Sequence, residues 1–393
     1  MITSDNRSDS SSSLSSANDY GSDVPLPPPS KSKSSHLGSD GPRDENGRPV
    51  NHEFGAGEGA LPSQKTTRKR GVRAPTTWHQ KAPYNFKTWL MHHDLGPEEI
   101  YYTLPQKPDT KLPNHPTWRE NAFILGHTLR PIGVQAISYY LFPNHPWHWF
   151  PAFIFYSLST IDFALNHIRR LNRYQGIYGC FDQENRGRDM ISDKQVNWVA
   201  LSLAWYIAGR MIGLFIMGWD STAFPTLSWW WPLKLILLGI SLDFFFYVYH
   251  RSCHEIPSLW HVHQRHHASH HPTPLLSIYA DDVQEMLEVW IVPFLGTKTL
   301  QLLTGITLSF PEMYLGAMYL LYYESYGHAG IRAVWLHPLS GYVLRVFGME
   351  LIGEDHDIHH RDGKGGLNYG KQTRVWDKLF GTIALRREKQ DYY

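Results

Sequence analysis

The chain has 393 residues, room for one large domain and a tail, and its 37 basic residues nearly balance 36 acidic ones. That balance excludes the clustered basic surplus with which a nucleic-acid binder neutralises phosphate. Cys180 and Cys253 are the only cysteines, too few for a disulfide framework or a cysteine-based zinc fold, so any metal must be held by histidine or carboxylate.

Residues 1–75 are rich in Ser, Pro and Gly (SSSLSS, PLPPPS) and too poor in apolar side chains to offset their ordering entropy, so a disordered tail is expected. The tail has no apolar core of a secretory signal, which points to insertion through an internal segment, and its Arg68-Lys69-Arg70 run reads as solvated charge. Residues 76–120 form an irregular lead-in, and 121–393 the membrane-embedded domain. Apolar runs follow at 121–142, 147–165, 197–219, 226–249, 286–308 and 309–327, each near the roughly 20 residues that cross hydrocarbon as a helix. The fold class expected is therefore all-α: a bundle of about four to six membrane helices or half-crossings under a histidine-rich cap. Trp219 and Trp229-Trp230-Trp231 sit at run ends, as aromatic side chains do at a membrane surface. Arg210, Lys234, Asp243, Glu288, Lys298, Glu312 and Glu324 fall inside the runs and must pair, snorkel or face protein.

The loop from His167 to Lys194 carries Arg169, Arg170, Arg173, Arg186, Arg188 and Lys194, which the positive-inside rule assigns to the cytosol. If the runs pair as hairpins, the segments starting at His250 and His328 emerge on that same face. There lie the histidine motifs: His250-Arg-Ser-Cys-His254, His263-Gln-Arg-His266-His267 and His356-Asp-Ile-His359-His360, with His328 between the last two. Spacings of three and four put imidazoles on one face of a helix. A lone HxxxH is as well explained by a capped surface pair, but two HxxHH motifs beside it point to a metal site. Asp243 falls on the His250 face and is expected to accept the second N–H of a ligand imidazole, with Asp357 and Asp355 as candidates for the same duty near the last motif. His261, His270, His271 and His337 read as structural or solvent-exposed.

These motifs, with NYGKQTRVWDKLFGT at 368–382, resemble the fatty acid hydroxylase superfamily, which includes sterol desaturases, methyl-sterol oxidases and sphingolipid hydroxylases. The resemblance covers residues 150–385 and implies an endoplasmic reticulum membrane enzyme with a cytosolic di-iron centre (Fe2+/Fe3+) that uses O2 to hydroxylate or desaturate a lipid or sterol-like substrate. It assigns His250, His254, His263, His266, His267, His328, His356, His359 and His360 as ligands, enough for four or five on each of two irons. Breaking an unactivated C–H bond is beyond any side chain, so the chemistry itself asks for a redox metal. No HPGG-like haem motif or GxGxxG after a strand is found, so electrons are expected from a partner, and the resemblance implies cytochrome b5 and its NADH-dependent reductase, docked against Arg251, Arg265, Arg361 and Lys364. Two rival readings fit less well. A zinc hydrolase would want an HExxH, and a metal transporter would place histidines within the spans.

Overall fold

Capping chemistry and proline fix where the helices begin and break. The computed structural model describes residues 77–80, 85–95, 111–181, 188–189 and 191–388, all within one compact unit, Val72–Tyr393. The Ser/Pro/Gly tail, the Arg68-Lys69-Arg70 run and part of the basic loop, including Arg186, lie outside the described residues. Helix α1 (Phe86–Met91) starts where the Asn85 side chain accepts the Thr88 N–H. The long helices are α2 (Thr117–Leu141), α3 (Trp149–Tyr178), α4 (Val196–Gly218) and α5 (Trp231–Glu255). A short α6 (Trp260–His263) precedes a broken rod: α7 (Asp282–Met286), a π turn at Leu287–Ile291, and α8 (Val292–Thr304). Pro293 has no N–H to donate back into that turn, which accounts for the local widening there. In α9 (Phe310–Ala329) the Ser309 hydroxyl accepts the Glu312 N–H while the Glu312 carboxylate accepts the Ser309 N–H, a reciprocal N-terminal cap. Three short helices complete the cap: α10 (Gly341–Val346), α11 (Gly353–Asp362) and α12 (Val375–Phe380).

Helix α9 is the axis of the bundle, buried on nearly every side and packed against α2, α3, α4, α5 and α11. The all-α expectation holds, since the described residues contain no strand beyond two isolated bridges, Asn114 with Val334 and Cys180 with Ile331. Those bridges matter for topology. They join the start of α2 and the end of α3 to the segment just after α9, so these three ends lie together.

The protein is a membrane protein, and two helices, α4 and α5, are long and apolar enough to cross a bilayer by length and composition. At the end of the helices away from the histidine motifs, large apolar side chains face outward: Tyr140 (79% exposed), Ile216 (80%), Trp229 (91%) and Leu302 (85%). Such a belt of exposed apolar surface suits hydrocarbon and not water. Charges within the runs are mostly paired, as their cost requires. The Lys234 ammonium donates to Glu312 at 2.8 Å and to the Thr307 carbonyl, whereas Lys298 is exposed. The second run continues as helix: α3 reaches Tyr178, past its expected end at 165, so the first part of the basic loop is helical.

Candidate metal centre

Every histidine proposed as a ligand is buried, and the nine fall into two groups. One comprises His250, His254, His263, His267 and His359, the other His266, His328, His356 and His360, each offering nitrogens within 4.8 Å of one another. Helix α5 carries His250 and His254 one turn apart on its last two turns. Helix α11 carries His356, His359 and His360, and its two faces feed different groups: His359 goes to the first, His356 and His360 to the second. The HQRHH segment divides in the same way, because α6 ends at His263 and a tight 3-10 turn at His266–Ala268 rotates the next two rings apart. His328 closes the second group from the last turn of α9.

Hydrogen bonding decides which nitrogen each ring presents. The Nδ1 atoms of His250, His254 and His359 face the carbonyls of Tyr369, Lys364 and Leu367 at 2.8, 3.1 and 2.8 Å. Those of His328 and His360 face the carbonyls of Glu324 and Ser269 at 2.7 and 3.1 Å. A carbonyl can only accept, so each Nδ1 carries the proton and each Nε2 keeps its lone pair. His263 Nδ1 donates to the Gln284 side-chain oxygen at 2.9 Å, an amide whose orientation is set by its NH2 donating to Glu288 at 2.8 Å.

The freed Nε2 atoms of His250, His254, His263 and His360 are buried and find no hydrogen-bond partner. Others face one another, His356 with His328 at 2.9 Å, His266 with His328 at 3.2 Å and His267 with His359 at 3.1 Å. Two ligand nitrogens on one ion, each about 2.0–2.1 Å from it, stand roughly 3 Å apart, so these separations are those of neighbouring ligands. Burial, reinforced by the surrounding imidazoles, holds His263, His266, His267, His356 and His359 well below the ordinary imidazole value. Neutral rings with aimed, unpaired lone pairs fit two metal ions.

The carboxylates do something other than the sequence suggested. Asp243 meets no imidazole. It accepts the backbone N–H groups of Lys371 (2.7 Å), Gln372 (2.9 Å) and Thr373 (3.1 Å), clamping to α5 the loop whose Tyr369 carbonyl orients His250. Asp357 is held by Arg188 at 2.7 Å and Arg361 at 2.9 Å, and Asp355 accepts the Ile352 N–H and pairs with Arg386. Three loop N–H groups and two guanidiniums are stronger partners for an ionised carboxylate than a neutral ring, which explains the departure. Arg188 also donates to the Pro272 carbonyl, and its guanidinium fills the space beside Gly330, where φ is +59° and a Cβ would lie 2.2 Å from it. Of the remaining histidines, His261 is exposed, His270 faces the carbonyl of His360 and His337 takes the N–H of Ser340. None of these, nor His271, joins either group.

Sequence reasoning missed Gln284, Arg188 and a buried ion cluster beside the histidines. In that cluster Lys371 donates to Glu288 at 2.5 Å and to Glu324 at 2.7 Å, and Glu324 also receives the Tyr206 hydroxyl and lies 3.6 Å from Arg210. Its signal was present as charges inside apolar runs.

Residues 235–382 match the family described as fatty acid hydroxylase. The chain is 38% identical over 221 residues to the fatty acid hydroxylase vlmA of Lecanicillium sp, an alignment covering 53% of this chain and 60% of that protein. Identity to the alkylglycerol monooxygenase of Homo sapiens is 26% over 183 residues (45% of this chain, 37% of that one), and to that of Danio rerio 27% over 191 residues (46% and 37%). The chain thus covers less than two thirds of each of these relatives. No solved structure matches it.

Proposed function

We propose, from the match of residues 235–382 to the fatty acid hydroxylase family, that the chain is a membrane-bound di-iron oxidoreductase that hydroxylates a lipid-like substrate with O2 and externally supplied electrons. The observation that carries this reading is the double set of neutral histidines with converging, unpartnered Nε2 atoms. Two irons held there would supply the O2-dependent redox chemistry that attack on an unactivated C–H bond requires. The chain's own part is to keep the rings in place: the carbonyls of Tyr369, Lys364, Leu367, Glu324 and Ser269 fix five of them from behind. That backing also makes each Nε2 a better donor to metal. The printed names of the relatives favour hydroxylation of an acyl or alkyl chain over desaturation.

We place the histidine face in the cytosol and the protein in the endoplasmic reticulum, with cytochrome b5 and its NADH-dependent reductase as donors. Of the four cations proposed for docking, Arg361 is the one turned inward, paired with the buried Asp357, while Arg265 is paired with Asp281 at 2.8 Å at the surface. Arg251, bonded to Glu255, and Lys364, over the Trp260 ring, lie toward the rim with Arg265. Purified protein reconstituted with cytochrome b5, the reductase, NADH and microsomal lipid should bind about two irons and give an oxygenated lipid carrying one atom from labelled O2. Zinc alone with hydrolysed lipid would overturn the reading. A tag near Glu184 should be accessible from the cytosol in selectively permeabilised cells, and a lumenal tag would reverse the orientation.

A further inference from the structure

Helices α10 and α12 belong to the cap by chain order, yet they lie low on the bundle. The Trp376 indole of α12 donates to the Ile240 carbonyl at 3.0 Å and packs on Phe244 with ring centroids 4.8 Å apart, while the Phe380 ring stacks on Tyr247 at 5.4 Å. Ile240 precedes His250 by about ten residues on α5, or about 15 Å at 1.5 Å per residue. The segment leading into α10 is set as deep, since Leu339 and Ser340 share a cavity wall with Leu235, Ile236 and Gly239 of α5. The two short helices meet where the Lys378 ammonium donates to the Phe347 carbonyl and the Arg374 N–H to the Met349 carbonyl. Both turn apolar side chains outward. On α10, Gly341 and Leu344 are buried while Tyr342, Val343, Val346 and Phe347 are exposed, and their spacing puts those four on one face. On α12, Asp377 is buried while Leu379 and Phe380 are exposed beside Lys378. A surface helix in water shows the reverse pattern.

Depth identifies what covers that face. Helix α5 is apolar enough to cross a bilayer, and a hydrocarbon core of about 30 Å, or roughly 20 residues of helix, that starts at Trp231 ends near the level of His250. The contacts of α12 with Ile240, Phe244 and Tyr247 then fall in the half of the core nearer the histidines, where an outward side chain meets acyl chains. The polar groups agree, because the Trp376 N–H and the Phe347 carbonyl are satisfied within the protein, as hydrocarbon requires. We propose that the outward face of α10 and α12 is inserted among the acyl chains of the leaflet on the histidine side, so that this part of the cap lies in the membrane and not above it. The insertion reaches the metal centre through Asp377 of α12, which accepts the N–H groups of Tyr369 and Gly370, both at 2.8 Å. The loop whose Tyr369 carbonyl orients His250 is thereby tied to a lipid-seated helix. Insertion needs the bilayer but not the metals, and stands apart from the hydroxylase reading.

Site-directed labelling tests it on the full chain. Cys180 and Cys253 are both buried, so a cysteine placed on the surface takes a thiol-reactive fluorophore selectively. Val346 is 80% and Leu379 66% exposed, so Val346→Cys and Leu379→Cys each carry the label without disturbing the core. Arg387→Cys, at an exposed position where the native side chain pairs with Asp362, reports the watery side of the cap. Each labelled protein is placed in phosphatidylcholine nanodiscs and quenched either by lipid spin-labelled on its acyl chain or by aqueous iodide. The labels at Val346 and Leu379 should be quenched by the lipid about threefold more than the label at Arg387, and by iodide about threefold less. Iodide reaching either of them as readily as the Arg387 label would put the face in water. Shielding of either from both quenchers would mean that protein covers it, as in contact with a second copy. Each of these two results would overturn the insertion.

Discussion

The two histidine groups are built from the same three motifs, yet they differ in number and in what stands behind them. The five-histidine group leans on the loop at 364–369, whose carbonyls orient His250, His254 and His359, and on the Gln284 amide. The four-histidine group leans on α9 itself, through the Glu324 carbonyl, and on the Ser269 carbonyl. With one ring more, the first group would hold a metal with more redundancy than the second.

Deleting one ring from each group should separate them most widely. His356→Ala leaves three histidines in its group and should lose about one of the two irons and at least hundredfold in activity. His359→Ala leaves four in its group and should keep most of its iron while losing activity comparably, because the remaining rings are no longer held in register. Metal analysis of the two purified variants checks this, and equal iron loss would break the contrast.

A smaller effect is expected behind the ring. Gln284→Leu removes the acceptor at His263 Nδ1 and frees that ring to adopt the other tautomer, so iron affinity in the five-histidine group should fall about 10–100-fold. Competition with a chelator reads it directly, and unchanged affinity would show that the other four rings suffice.

The segment after Ser269 ties the four-histidine group to the lead-in through Asp94, which accepts the Thr273 hydroxyl and the Leu275 N–H. Burial pushes the Asp94 carboxyl up to about 7, against hydrogen bonds that lower it. A folded-state value raised above the unfolded one near 4 means that the contribution is full below about pH 4 and is lost as pH rises through about 7. The buried histidines, held neutral, act in the opposite sense as pH rises, so the Asp94 effect is read as a difference: relative to the native protein, the melting temperature of Asp94→Asn should rise by a few degrees between about pH 4 and 7. An identical pH profile in the variant would remove Asp94 from the account. The smallest effect belongs to His271→Ala, outside both groups, which should keep both irons and activity within about twofold.

Much of this was legible early because histidine spacing and hydropathy are local properties. All six apolar runs are helical over most of their length, the fifth with a π turn in it, and the α5 helix does continue through His250 to His254. The nine histidines singled out are the nine that converge. The partners of the carboxylates were not legible, since the groups that hold Asp243, Asp357 and Glu324 come from positions up to 169 residues away. Spacing on one helix face suggested Asp243 as a partner for His250, but a loop far along the chain reaches it first.

By itself, then, the sequence determined which side chains can hold metal and which segments suit a bilayer, because periodicity and residue type act over a few turns of one helix. Only the tertiary structure decided the division of the rings into five and four. The tight turn after His263 sends His266 and His267 to different groups, and α11 splits its three rings between its faces. That division depends on how α5, α9 and α11 pack and on which carbonyls stand behind each ring, and a linear spacing carries neither.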